Sequence, residues 1–292
     1  MQYAEIAPAK HLAKYVKCFW VLEQSGAPAA GESCAPEAVI PDGSIEIIFN
    51  LSDPFRRYHS NGRIETQPHS IVAGQMREHA LIEPSGKVKL FGIRFCAAGA
   101  YPFFRFSLSE LTGRIEDLAS VWGRGANELE EKINEALSPE ECVVIVESEL
   151  GKLLSANRKF DEIVEGASRM ITTRRGLASI DDVSRTLSVS ARRLERRFQH
   201  RFGLTPKFFS RIVRFQNLLG ALREERKEGL LGTALSFGYY DQAHLIHEFK
   251  EFSGKSPAAF FADEYQFSQF FLSAPSIIGT DVFLQYTVPN NI

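Results

Sequence analysis

Apolar and polar positions follow two different rhythms along this chain. Through the first hundred residues the apolar positions recur in short runs broken by turn residues. The turn Pro41-Asp42-Gly43-Ser44 leads into IEIIFNL (45–51), which stops at Ser52-Asp53-Pro54. SIVAG (70–74) and KVKLFGIRF (87–95) are two further strand candidates, rich in β-branched and aromatic residues. In the latter, Val88, Leu90, Phe91, Ile93 and Phe95 alternate imperfectly with Lys87, Lys89 and Arg94, as in a strand buried on one face and partly on the other. Several short strands between turns predict a small barrel or sandwich.

From about residue 100 the spacing changes to three and four. ELTGRIEDLASVWG (110–123), ANELEEKINEAL (126–137) and SPEECVVIVESELGKLL (138–154) all read as helices. Ser138, with Pro139 next and Glu141 three residues on, has the form of a capping box. These helices either pack on the β domain or bury a seam between two subunits. SANRK (155–159) is polar and unpatterned, and is the expected linker. The expected organisation is therefore α+β: a β-rich sensing or dimerisation domain over 1–154 that ends in appended helices, the linker, an all-α domain over 160–262, and a phenylalanine-rich tail over 263–292 docked on the body.

The all-α part repeats itself. Ser190, Leu194, Phe198, Gly203, Pro206 and Phe209 recur as Asp241, Leu245, Phe249, Gly254, Pro257 and Phe260, each pair 51 residues apart. Upstream the offset is 50, so that Ser184, Leu187 and Val189 match Ala234, Phe237 and Tyr239. Each copy has a helix, a tight turn, an N-cap (Ser190 or Asp241), and a second helix closed by a glycine where a left-handed residue belongs. That is the layout of a helix-turn-helix unit. Between the copies, Phe208, Ile212, Phe215, Leu219 and Leu222 stripe one continuous helix, a rigid spacer between two units.

Charge sharpens the picture. The formal net charge is only −2, yet residues 159–262 hold 18 Lys+Arg against 12 Asp+Glu, and the rest of the chain holds 16 against 24. Five arginines (Arg192, Arg193, Arg196, Arg197 and Arg201) fall within ten residues of the first copy. A solvated helix face usually mixes signs, so a nearly one-signed cluster points to a polyanion. With Leu194 and Phe198 turned inward, Arg192, Glu195 and Arg196 are the expected base contacts near the helix N-terminus. Arginine can donate two bonds to guanine, and glutamate can accept from cytosine. Ser190, Arg193, Arg197 and Arg201 are the expected phosphate contacts. In the second copy the outward positions are Gln242, Ala243, Ile246 and His247, with Lys250 on phosphate.

SVSARRLERRFQHRFGLTPKFF and ALSFGYYDQAHLIHEFKEFSGKSPAAF together resemble the DNA-binding domain of the AraC/XylS family of bacterial transcription regulators, over about residues 160–262. The second stretch carries the family's alanine, its G-[FY] turn, F-K and G-x-[ST]-P. One departure is Ser188, where the family often has glycine. PDGSIEIIFNLSDPF and KLFGIRFCAAGAYPFF are similar to a less characterised family of N-terminal domains on such regulators. The resemblance implies a cytoplasmic DNA-binding regulator whose partners are double-stranded DNA, RNA polymerase, a small-molecule effector and a second copy of itself.

Within the N-terminal part, Glu46 and Arg94 sit on strand candidates and are the expected polar contacts for an effector; an ion pair between strands is the competing explanation. Two further readings compete with effector sensing. One is a ligand-independent regulator whose N-domain only dimerises, and the other is a metal-dependent β-barrel enzyme tethered to DNA. The enzyme reading lacks ligand spacing, because His59, His69 and His79 are single and ten residues apart. No catalytic residue, metal or cofactor is assigned. The scattered cysteines, Cys18, Cys34, Cys96 and Cys142, read as reduced and mostly buried thiols. No apolar run is long enough to span a bilayer.

Overall fold

The structure is a computed structural model that describes residues 1–24, 35–156, 160–224 and 230–262. The 263–292 tail, residues 157–159 of the linker and Cys34 lie outside the described residues.

The N-terminal domain is built from two antiparallel sheets. Strands β1 (Gln2–Ile6), β2 (Val16–Glu23), β4 (Glu46–Asn50), β7 (Ser70–Ala73), β9 (Lys89–Phe95) and β10 (Ile115–Asp117) form one, in the order β1-β2-β9-β4-β7-β10. Strands β3 (Glu37–Val39), β5 (Phe55–Tyr58), β6 (Ile64–Thr66) and β8 (Ala80–Pro84) form the other, in the order β3-β8-β5-β6. The three sequence-predicted strands thus become β4, β7 and β9, paired side by side at the centre of the larger sheet. Because they are central, both faces are covered, which explains the imperfect alternation in β9. One face packs Phe19, Ile47, Phe49, Phe91, Ile93 and Phe95 into a core with the appended helices. The other face turns Cys18, Trp20 and Leu90 toward the second sheet.

Helices α1 (Leu118–Trp122), α2 (Arg124–Glu135) and α3 (Pro139–Ala156) follow. Leu129, Ile133, Cys142, Val146 and Leu150 join the β core, so these helices pack on their own domain. The expected helix at 110–123 is wrong in its first half. A 3-10 turn at Leu108–Leu111 and strand β10 stand there instead. Gly113, at φ +73°, breaks the run, and Asp117 caps α1 by accepting from Ser120 N. At α3, Ser138 Oγ accepts from Glu141 N, while the Glu141 carboxylate reaches Leu137 N, one residue earlier than a capping box requires. Ser155 and Ala156, expected in the linker, complete α3.

The C-terminal domain runs through α4 (Glu162–Thr173), α5 (Ile180–Thr186), α6 (Ala191–Phe202), α7 (Pro206–Glu224), α8 (Leu230–Ser236), α9 (Gln242–Ser253) and α10 (Pro257–Ala262). The repeat is reproduced atom by atom. Ser190 Oγ accepts from Arg193 N at 3.3 Å, and Asp241 Oδ1 accepts from His244 N at 2.8 Å. Gly203 and Gly254 close their helices at φ +97° and +74°, the left-handed region that favours glycine. The turns match as well: Val189 N donates to Ser184 O as Tyr239 N does to Ala234 O.

Ser188 sits at φ +51°, whereas its counterpart Gly238 sits at +76°. A side chain in that region costs about 1–2 kcal/mol, partly offset by the chain entropy glycine would add. Ser188→Gly should therefore raise stability by about 1 kcal/mol in thermal unfolding. A loss instead would mean that the serine side chain holds the turn.

One difference between the copies concerns charge. Position 197 is arginine and its counterpart, 248, is glutamate. Arg197 reaches back to Asp161, the N-cap of α4, at 2.9 Å. Glu248 reaches back to Arg211 and Arg214 of α7 at 2.7 and 2.8 Å. Each second helix is thus clamped to the helix that precedes its unit, α4 or α7, with the signs reversed.

The two domains share one core. Ile40 and Ala98 of the β domain are buried in the same cluster as Phe198, Phe209, Ile212 and Phe249. Gln216 Nε2 donates to Pro41 O at 2.7 Å, and Ser107 Oγ donates to His200 O at 3.2 Å.

Candidate nucleic-acid interface

Helix α6 divides lengthwise into an inward face and an outward one. Leu194, Phe198 and Phe202 are fully buried, with the tilted Phe198 and Phe202 rings 4.5 Å apart and both against Phe209. Arg192, Arg193, Glu195 and Arg196 are exposed, and the described residues show no ion pair for them. Since the dipole also makes a helix N-terminus positive, three unpaired guanidinium groups there concentrate positive potential on the first two turns of α6.

The other two arginines do something different. Arg197 and Arg201 are half-buried and both bind Asp161 Oδ2, at 2.9 and 3.0 Å, and the Arg201 guanidinium lies 4.8 Å over the Tyr101 ring. Asp161 is itself buried and caps α4 through Ile163 N and Val164 N. The expected phosphate contacts at 197 and 201 therefore have intramolecular work, joining α6 to α4 and, through Tyr101, to the β domain. Ser190, another expected phosphate contact, has its hydroxyl committed to the cap. Of that set, Arg193 is left projecting into solvent.

In the second unit, Gln242, Ala243 and His247 are exposed and Ile246 is half-buried. Lys250 is exposed too, and His247 stands 3.9 Å from Glu251. Sequence reasoning passed over Tyr240, which is 86% exposed beside the N-cap and stacks on His244 at 5.4 Å and 20° between planes. The signal was available: an aromatic immediately before a cap, with a histidine four residues on.

Glu46 and Arg94 prove to be direct partners across neighbouring strands. Arg94 is fully buried; its Nε donates to Glu46 Oε1 and its Nη1 lies 3.3 Å from Glu5 Oε1. Burial pushes the Glu46 carboxyl above its ordinary value, with Arg94 pulling the other way. Beside this pair lies a cavity of about 110 Å³ between the two sheets. Its walls are mainly apolar, among them Ile48, Ile71 and Ile82, with Asp42, Glu46 and His69 among the polar lining. Glu46 lines it, whereas Arg94 stands behind Glu46.

The three histidines singled out earlier stand in three separate settings. His59 Nε2 meets Glu65 at 2.8 Å, His69 Nδ1 meets Asn50 O at 3.3 Å, and His79 packs against Gly254. Among the described residues no group of three or more His, Cys, Asp or Glu could hold a metal ion. Cys18, Cys96 and Cys142 are free thiols, and burial pushes Cys18 up to about 12 and Cys96 up to about 11, away from thiolate chemistry. No helix among the described residues is long and apolar enough to cross a membrane.

Residues 4–117 match a domain of unknown function (DUF6597), and residues 183–263 match a helix-turn-helix domain family. No curated protein matches the chain. Among solved structures, the chain is similar to ToxT from Vibrio cholerae. One ToxT structure is 10% identical, with 94% of this chain and 100% of that chain covered and a TM-score of 0.46. Another, of wild-type ToxT with a bound unsaturated fatty acid, is 10% identical, with 83% and 92% covered and a TM-score of 0.43. The first match ends with strand β10 and the second begins inside α5, so that α1–α4 lie between them. The chain accordingly joins a DUF6597 domain to a C-terminal helix-turn-helix domain, in keeping with the resemblance of its paired units to the DNA-binding domain of AraC/XylS regulators.

Proposed function

We propose that this protein is a sequence-specific transcription regulator that places α6 and α9 in two successive major grooves on one face of the duplex, and that its β domain senses a small molecule. The observation that carries the first part is the duplication itself. Two 12-residue helices, capped by Ser190 and Asp241 and closed by left-handed Gly203 and Gly254, stand on one connecting helix. A stiff spacer suits half-sites one helical turn apart, about 34–36 Å. Support for the second part is the inter-sheet cavity.

Arg192, Glu195 and Arg196 are proposed to read bases, with Arg193 on phosphate. Gln242, Ala243, Ile246 and His247 take the same role in the second unit, with Lys250 on phosphate. Arg197 and Arg201 are assigned mainly to hold α6 in place, with phosphate contact secondary. RNA polymerase is the expected downstream partner. A second copy would find exposed Leu137 and Val144 at the start of α3.

Selection from a random duplex pool tests the reading. The expected motif has two half-sites one turn apart, and recovery of no enriched motif would overturn it. Arg196→Ala should cost about 1–3 kcal/mol at the selected site and relax preference at one base pair. Arg201→Ala should weaken all sequences alike and lower Tm as well, because it also loosens the Asp161 clamp. A change in base preference at Arg201→Ala would reverse the two roles.

A further inference from the structure

The inter-sheet cavity shares its walls with the seam between the domains. Two segments supply both. Residues 39–44 line the cavity through Ile40, Asp42 and Ser44, and carry seam contacts on the same stretch. Pro41 O accepts from Gln216 of α7, and Gly43 lies so close to the Phe209 ring that a Cβ would fall 2.7 Å from it. Residues 73–80 line the cavity through Ala73, Gly74, Met76 and Ala80. From the same segment, buried Gln75 packs against Gly203, Arg77 lies 4.8 Å over Phe208, and His79 packs against Gly254. The segment therefore touches the glycine cap of both α6 and α9. Gln75 ties the two wall segments together, donating from Nε2 to Gly43 O at 3.0 Å.

The lining also constrains what can enter. Its carboxylates are Asp42 and Glu46; neither lysine nor arginine lines it, and the His69 imidazole in its wall engages Asn50 O through Nδ1. A carboxylate entering this site would bury beside two carboxylates with no lysine or arginine to pair, which is costly in a medium of low polarity. The volume is of the order of a cavity that holds one aromatic ring, about 150 Å³.

We infer that the cavity binds a small, largely apolar molecule that is uncharged or cationic, and that its occupancy is transmitted to both helix-turn-helix units through residues 39–44 and 73–80. This rests on the effector-sensing part of the proposed function and gives that effector a chemical class and a route. Filling the space fixes both wall segments; residues 73–80 bear directly on the glycine caps of α6 and α9, and residues 39–44 on α7 between them.

Three probes of one shape separate the cases: benzyl alcohol, benzylamine and benzoate, added to the full chain. Benzyl alcohol and benzylamine should each raise Tm by about 2–4 °C when tenfold above Kd. Both should slow amide exchange in 199–205 and 250–256 together with 46–50, and benzoate should do neither. Gln75→Ala should keep the Tm rise and lose the effect at 199–205. If Gln75→Ala fails to fold, His79→Ala serves in its place: it should keep the Tm rise and lose the effect at 250–256. Stabilisation by benzoate to the same degree, or by none of the three, overturns the ligand class. Protection at 46–50 with unchanged exchange at both caps overturns the route. None of these readouts uses DNA, so failure of duplex recognition is scored separately.

Discussion

Arg94→Met is expected to cost about 3–5 kcal/mol in denaturant unfolding at neutral pH, the largest effect of any single change in the β domain. Methionine nearly fills the volume but leaves Glu46 buried without a counter-charge and Glu5 without its partner. Burial already holds the Glu46 carboxyl above its ordinary value while Arg94 opposes the shift. Without Arg94 the carboxyl rises further. An acid whose folded pKa exceeds its unfolded one contributes full stability below the unfolded value and loses it as pH climbs. The deficit of the variant should therefore shrink below about pH 4.5 and grow toward neutrality. Adding Glu46→Gln should recover much of the loss, because the pair is then replaced by neutral groups. A deficit that is flat with pH and not recovered by the second change would show that packing, not charge, makes Arg94 necessary.

Glu248→Ala should cost about 3 kcal/mol and act on DNA selectively. Glu248 is 1% exposed and binds Arg211 and Arg214 together. Its loss leaves Arg211 with Glu251 but strands the Arg214 guanidinium over the Tyr239 ring at 4.9 Å. The polar tie of α9 to α7 is then reduced to the Arg211–Glu251 pair, while α6 keeps its own through Asp161. Footprinting should show the second half-site fading before the first. Equal weakening of both half-sites would mean that the units are not independently clamped.

The helical units were legible in the sequence because caps and glycine stops are local. Ser190, Asp241, Gly203 and Gly254 each declare a helix end through chemistry that spans four residues, and apolar spacing supplies the face between. The central strands were legible for a similar reason. The fates of Arg197 and Arg201 were not. Periodicity tells which face of a helix a residue occupies, and both lie off the apolar stripe; it does not tell that Asp161, 36 residues upstream of Arg197, rises to meet them. Strand β10 was hidden because Ile115–Asp117 pairs with β7 across more than forty residues, while its own sequence suits a helix. The cavity was out of reach altogether, since Glu46 and Arg94 could be read as strand residues but not as neighbours beside a gap between sheets.

The reversed clamps bear on how a duplicated domain finds its shape. Two homologous units on one chain can trade parts during folding, each second helix settling on the wrong scaffold. Here that exchange would set Arg197 beside Arg211 and Arg214, and Glu248 beside Asp161. Like charges would meet in buried positions, and the mistaken assembly would be expelled before it could set. The opposite signs at 197 and 248 act as a key cut differently for each lock.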